Sequence, residues 1–110
     1  MSDATLDPED NKIIVLARSA RARNGAAEGA AVRDETGRTY VATNVALPSL
    51  TLSALQVAVA MAVSSGAESL EAAALVTEGD GPAPADAQVV RDLGGRTPLV
   101  AGPDGTLRQS

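Results

Sequence analysis

Between residues 29 and 42 the chain reads GAAVRDETGRTYVA. Two short apolar runs, Gly29 to Val32 and Arg38 to Ala42, flank Asp34-Glu35-Thr36-Gly37, and such turn-forming residues between strand-like runs predict a β-hairpin. Upstream, Asp7-Pro8-Glu9-Asp10 has the form of a helix start: an N-cap acid, proline at the first helical position, and acids beside the positive end of the helix dipole. A helix is expected from Pro8 to Arg23, with Ile13, Ile14, Leu16, Ala17 and Ala20 on one face and Arg18, Arg21 and Arg23 near its negative end. Downstream, Leu50 to Val63 is predicted as a helix apolar almost all round, stopped by Ser64-Ser65-Gly66. Leu70 to Val76 suits a strand, Thr77 to Pro84 a loop, and Ala85 to Leu93 a helix closed by Gly94-Gly95. Strands at Thr97 to Ala101 and Thr106 to Gln109 follow, around the turn Pro103-Asp104-Gly105. Strands interleaved with helices imply an α/β domain with a mixed sheet covered by helices.

The 110 residues are expected to form one domain over 1–110, with residues 1–7 as a flexible N-terminus. Tyr40 is the only aromatic residue, so the core must be built from Ala, Val, Leu and Ile. Nine basic against fourteen acidic residues give a net charge of −5, which opposes the phosphate neutralisation behind non-specific nucleic-acid affinity. Nucleic acid is therefore not expected as a partner. The absence of cysteine removes disulfides and thiolates, and the start MSDATLDPED has no secretory pattern, so a reduced, cytoplasmic protein is expected. Thr39 to Ala67 carries no charge and is long enough for a bilayer core of about 30 Å. Asn44, Pro48, Ser49, Thr51, Ser53 and Gln56 interrupt it and no basic flank follows, so it reads as a buried helix in a soluble protein without membrane contact. A small monomer rarely buries a whole helix, and part of this one is expected to face another subunit. No phosphate-binding glycine pattern occurs: Gly25, Gly29 and Gly37 make neither a dinucleotide fingerprint nor a P-loop.

Several short motifs, in order, resemble the cytidine deaminase family. They are Ala17 to Ala20, Gly29-Ala30-Ala31, Thr36 to Tyr40, Thr43-Asn44-Val45, Leu50 to Ala54, Ala60 to Val63 and Gln88 to Gly94. The match runs from Ile13 to Gln109, and its specificity lies in the collinear set. The resemblance implies a three-layer α/β/α sandwich with a mixed sheet, and assembly into tetramers that share active sites across subunits; a homodimer or homotetramer is expected here.

In that family three cysteine or histidine ligands hold a zinc ion that activates water, and a glutamate shuttles protons to the base. The triplet that opens the family's buried helix, Cys-Ala-Glu or His-Ala-Glu, reads Ser53-Ala54-Leu55 here. The second motif, Pro-Cys-x-x-Cys, falls on Pro82-Ala83-Pro84-Ala85-Asp86. The degenerate positions are thus Ser53, Leu55, Ala83 and Asp86. One hydroxyl and one carboxylate are too few and too hard a set to hold zinc tightly, so no metal and no cofactor is expected. The ribose-binding Asn-Val-Glu reads Asn44-Val45-Ala46, and the Asn-Phe pair before the strand reads Gly25-Ala26.

These differences lead to the expectation of a catalytically inactive relative, not an enzyme: a pseudoenzyme serving as an oligomeric scaffold or as a module for an unidentified protein partner. The alternative is a small-molecule or nucleoside-binding module using the former active-site cleft, with Asn44 and Gln56 as ligand-binding residues. Each has a structural explanation as well: Asn44 as the cap of a loop, Gln56 as a partner for buried backbone, Ser53 as a hydroxyl at a helix start. A third reading, unrelated chemistry through Glu28, Asp86 or another carboxylate, has little support because nothing pairs these acids in sequence. With no histidine and a single lysine, Lys12, no serine has a neighbouring base in sequence.

Overall fold

The computed structural model describes residues 6–109. The first helix, α1 (Pro8–Asn24), ends one residue beyond the expected Arg23. Asp7 caps its start by accepting a hydrogen bond from Glu9 N. Gly25 closes it at φ 60°, a left-handed conformation in which a side chain would be strained. Of the expected flexible N-terminus, residues 1–5 lie outside the described residues.

The hairpin forms as expected from β1 (Glu28–Asp34) and β2 (Thr39–Thr43), with Val32 opposite Tyr40. The turn is more than a polar connection, because Asp34 is 2% exposed. Its Oδ1 accepts from Thr36 N, Thr36 Oγ1 and Arg38 N, and its Oδ2 from the Tyr40 hydroxyl at 2.9 Å. Bonds that favour the ionised carboxylate, first that from the Thr36 hydroxyl, lower its pKa to about 2 against the opposing effect of burial. The only aromatic side chain is thereby tied to the turn's buried acid.

A correction concerns residues 50–52. They were expected to begin the long apolar helix but form β4 (Leu50–Leu52), paired antiparallel with β3 (Val45–Leu47). The helix α2 runs from Ala54 to Ser64. Ser53 sets that start: its Oγ accepts from Gln56 N at 3.1 Å, while Gln56 Oε1 accepts from Ser53 N at 2.9 Å. This reciprocal capping box fixes the first turn four residues later than the apolar pattern alone suggests.

The remaining elements are β5 (Leu70–Thr77), α3 (Pro84–Asp92), β6 (Leu99–Ala101) and β7 (Leu107–Gln109). The five-stranded sheet has the order β2-β1-β5-β6-β7; β5 and β6 are parallel and the other pairs antiparallel. Side chains on alternate faces of β1 and β5 split the core in two. On one face Ile13, Ile14 and Ala17 of α1 pack on Ala31, Ala74 and Val76. On the other, Leu55, Ala58 and Val59 of α2 and Val90 of α3 pack on Ala30, Val32 and Leu75. The expected three-layer α/β/α sandwich with a mixed sheet is therefore what forms. Small side chains bring the layers close: a Cβ at Gly29 would lie 2.1 Å from the Ala17 carbonyl oxygen, so α1 rests directly on the backbone of β1. Among the described residues no helix is long and apolar enough to cross a membrane.

Candidate functional site

A cleft of about 520 Å³ opens where β1 begins, β5 ends and α2 starts. Its wall is built by the hairpin β3–β4 and the residues just before it: Asn44, Val45, Ala46, Thr51, Leu52 and Ser53 line it. The positions that sequence comparison matches to the family's nucleoside site thus converge, although up to nine residues separate them along the chain. From the sheet come Glu28 and Thr77, from the turn after β5 come Glu78 and Gly79, and from α1 comes Arg21.

Several of the polar residues are held by specific contacts. Asn44 Oδ1 accepts from Glu28 N at 3.0 Å, linking the end of β2 to the start of β1. This bond joins two strands across 16 residues instead of forming the expected local turn, and it leaves the Asn44 amide nitrogen without a partner among the described residues. Glu28 Oε1 accepts from Ala54 N, the first amide of α2, at 3.3 Å. Arg21 donates Nε to the Ala27 carbonyl at 3.1 Å and pairs through Nη2 with Glu78 Oε2 at 3.3 Å. This latter pair is largely solvent-exposed on the Glu78 side and contributes little to stability; its effect is to hold the rim. Thr77 Oγ1 accepts from Gly79 N, and Arg108 of β7 donates to the Gly79 carbonyl, fixing the turn that leaves β5.

The degenerate positions are scattered in role. Ser53 lines the cleft, but its oxygen is the N-cap acceptor. Leu55 is fully buried in the core beneath α2. Ala83 precedes α3 and carries no donor atom; Asp86 lies in the first turn of that helix and is 8% exposed. Gln56 lies outside the cleft's lining, with its carbonyl oxygen committed to Ser53 N. Zinc of the family's kind does not fit this set. The chain offers neither cysteine nor histidine, and the described residues contain no cluster of three His, Cys, Asp or Glu side chains. Sequence reasoning underrated Glu28: its approach to α2 is a long-range contact, and only the unusual acid beside Gly29-Ala30-Ala31 hints at it.

A sequence model of the cytidine deaminase-like family matches residues 6–105. Among solved structures, cytidine deaminase from Burkholderia pseudomallei superposes with a TM-score of 0.75 at 27% identity, covering 90% of this chain and 89% of that one. Cytidine deaminase from Mycobacterium tuberculosis superposes with a TM-score of 0.71 at 29% identity, covering 94% and 91%. The enzyme from Mycobacterium leprae, at 23% identity and a TM-score of 0.70, adds support for the fold. No curated protein matches the sequence. These neighbours overturn the expectation that the chain is not an enzyme, because the proteins it resembles over nine-tenths of its length are enzymes. That expectation treated the missing zinc ligands and glutamate as deciding the class, whereas they decide only which chemistry the cleft lacks. With the family model spanning nearly the whole chain and the fold superposing on its solved neighbours, the protein belongs to the cytidine deaminase-like family as a degenerate member without the zinc ligands and the catalytic glutamate.

Proposed function

We propose that the chain binds a nucleoside-class small molecule in the cleft at the start of α2. One observation carries this reading: Asn44, Val45 and Ala46, matched to the ribose-binding motif, and Ser53, matched to a zinc-ligand position, line one depression of about 520 Å³ in a fold whose solved neighbours are cytidine deaminases. That volume falls in the range of about 300–1,000 Å³ usual for small-molecule sites. The lining joins apolar Ala27, Val45, Ala46 and Leu52 to polar Arg21, Glu28, Asn44 and Thr77, and carries no aromatic ring. Thermal denaturation with a nucleoside panel tests the reading. A ligand at a hundred times its dissociation constant stabilises by about 2.7 kcal/mol. For 110 residues with an unfolding entropy of about 2.1 cal/mol/K per residue, that raises Tm by about 12 °C. No shift with any nucleoside at millimolar concentration contradicts it.

A second reading concerns assembly, and a surface feature favours it. Leu47 and Leu50 of the β3–β4 hairpin and Met61 of α2 are 57%, 47% and 40% exposed, and no charged residue occurs from Thr39 to Ala67. We infer that a second copy of the chain covers this face, giving a homodimer or homotetramer. Light scattering at micromolar concentration is the test, and a strictly monomeric particle contradicts it. The lack of cysteine supports action in a reducing compartment, the cytoplasm; localisation of a tagged chain in its native cell tests this, and export contradicts it.

A further inference from the structure

A second cavity, of about 350 Å³, lies at the other end of β5 from the cleft, between the first turn of α1 and the segments that open β5 and β6. Asp10 and Glu71 bring carboxylates to its wall, Arg96 brings a guanidinium, and Ala72 and Leu99 bring apolar surface. Arg33 holds both carboxylates: Nη2 donates to Asp10 Oδ1 at 2.9 Å and Nε to Glu71 Oε1 at 3.0 Å, while Nη1 donates to the Glu9 carbonyl. Each nitrogen of Arg33 is thereby engaged. Two carboxylates against one guanidinium leave this group with a surplus negative charge. Arg96 would balance it, yet among the described residues Arg96 makes no ion pair and no hydrogen bond. The backbone on either side of Arg96 restricts its approach. Gly95 N donates to the Val90 carbonyl at 2.9 Å, and a Cβ at Gly95 would lie 2.7 Å from Val90 Cγ1, so the chain before Arg96 is clamped against α3. Pro98, after it, is fully buried. The ladder between β5 and β6 covers Ala74 to Val76, and Pro98 has no N–H to extend it. Opposite charges thus line one cavity, beside an open stretch of strand edge, without meeting.

We propose that this cavity binds a small zwitterion of the amino-acid class, with its ammonium on Asp10 and Glu71 and its carboxylate on Arg96. A ligand with a single charge fits less well: an anion on Arg96 alone faces two carboxylates, and a simple amine leaves Arg96 unbalanced. A zwitterion forms a charge-assisted bond at each end. The bonds to Arg33 already fix the two carboxylates, so little side-chain freedom is lost when the ammonium docks. Ala72 and Leu99 suit an aliphatic side chain, and the volume lies within the range of about 300–1,000 Å³ usual for small-molecule sites. Asp10 stands on α1, Glu71 on β5 and Arg96 ahead of β6. Such a ligand therefore ties three elements together, and its binding stabilises the domain as a whole. The proposal is independent of the nucleoside-class reading of the cleft.

Calorimetry and amide correlation spectra on the full chain test this with leucine, β-alanine and γ-aminobutyrate, which differ in the spacing of their two charges. At least one is expected to bind and to shift the amides of residues 71–73, 96, 97 and 99. The N-acetyl and methyl-ester forms of that ligand each lack one charge. In mildly acidic buffer, where the ester's amine stays protonated, each is expected to bind about tenfold or more weakly. Arg96 is exposed and has no structural partner, so Arg96→Gln keeps the fold, which circular dichroism checks. The variant is expected to bind the parent ligand no better than the ester, the coupling that a direct contact between guanidinium and ligand carboxylate produces. Affinity that Arg96→Gln leaves unchanged, or that persists in both the acetylated and the esterified forms, overturns the proposal. Failure of all three ligands to bind also overturns it, as do shifts at cleft residues 44–46 in place of 71–73. None of these outcomes bears on nucleoside binding in the cleft.

Discussion

Leu55 occupies the position at which the family carries its proton-shuttling glutamate, and the structure makes it a core residue. It is 0% exposed and belongs to the cluster with Ala30, Val32, Tyr40, Ala58, Val59 and Val90. Replacing it with alanine removes three carbons from a core whose neighbours are mostly short and fixed on the sheet, so the space cannot close. The lost transfer energy is about 2.4 kcal/mol at about 0.8 kcal/mol per buried methylene. The residual cavity brings the total into the range of about 3–4 kcal/mol found for buried leucines. Over 110 residues this corresponds to a Tm lower by about 13–17 °C. It is a large share of the roughly 5–15 kcal/mol that stabilises a typical domain. Urea denaturation followed by far-ultraviolet circular dichroism measures it directly. Leu55→Glu is expected to be worse than Leu55→Ala, because a carboxylate would be buried among aliphatic side chains. A cost below about 1 kcal/mol for Leu55→Ala, or a Leu55→Glu chain as stable as the wild type, refutes the placement of this side chain in the core.

Asp34 contributes a pH-dependent term. Its pKa falls from 3.8 to about 2 on folding, so its contribution is complete above 3.8 and is lost as pH falls toward 2. Asp34→Asn is expected to be less stable at neutral pH and to show a shallower loss across that window. Denaturation at stepped pH measures both, and identical acid slopes for the two chains count against the account. Gly29→Ala forces a Cβ to within 2.1 Å of the Ala17 carbonyl oxygen. It is expected to displace α1 and lower Tm sharply; an unchanged melting curve shows that the close approach is not needed. Met61→Asp combined with Leu50→Asp places charge on the exposed side of α2 and on the neighbouring hairpin. It is expected to dissociate the oligomer into monomers in light scattering without loss of helix content, and an unaltered particle mass contradicts the assigned face.

Local signals carried much of the fold. Asp7-Pro8 and Gly25 bracket α1 in sequence as they do in space, and the run Asp34 to Gly37 marks the hairpin. The β3–β4 hairpin was hidden because Leu50-Thr51-Leu52 is apolar enough to continue the helix that follows, and periodicity cannot divide so short a run. The capping-box spelling of Ser53 and Gln56 was the available sign, and it places the helix start correctly. The buried state of Asp34 was not readable from a turn composition that ordinarily faces solvent. It depends on Tyr40 folding back from the neighbouring strand. The candidate site divides in the same way. Asn44 and Ser53 were legible by resemblance. Glu28 required the packing of β1 against the start of α2, residues 26 positions apart, and Gln56 turned out to be spent on the cap.

The central claim is that a nucleoside-class ligand occupies the cleft, and amide correlation spectra of the labelled chain titrated with cytidine and adenosine test it most directly. The account expects saturable shifts concentrated at residues 27–28, 44–46, 51–53 and 77–79. Spectra that do not change at millimolar nucleoside, or shifts gathered instead on the outer face of α2 around Met61, would contradict it.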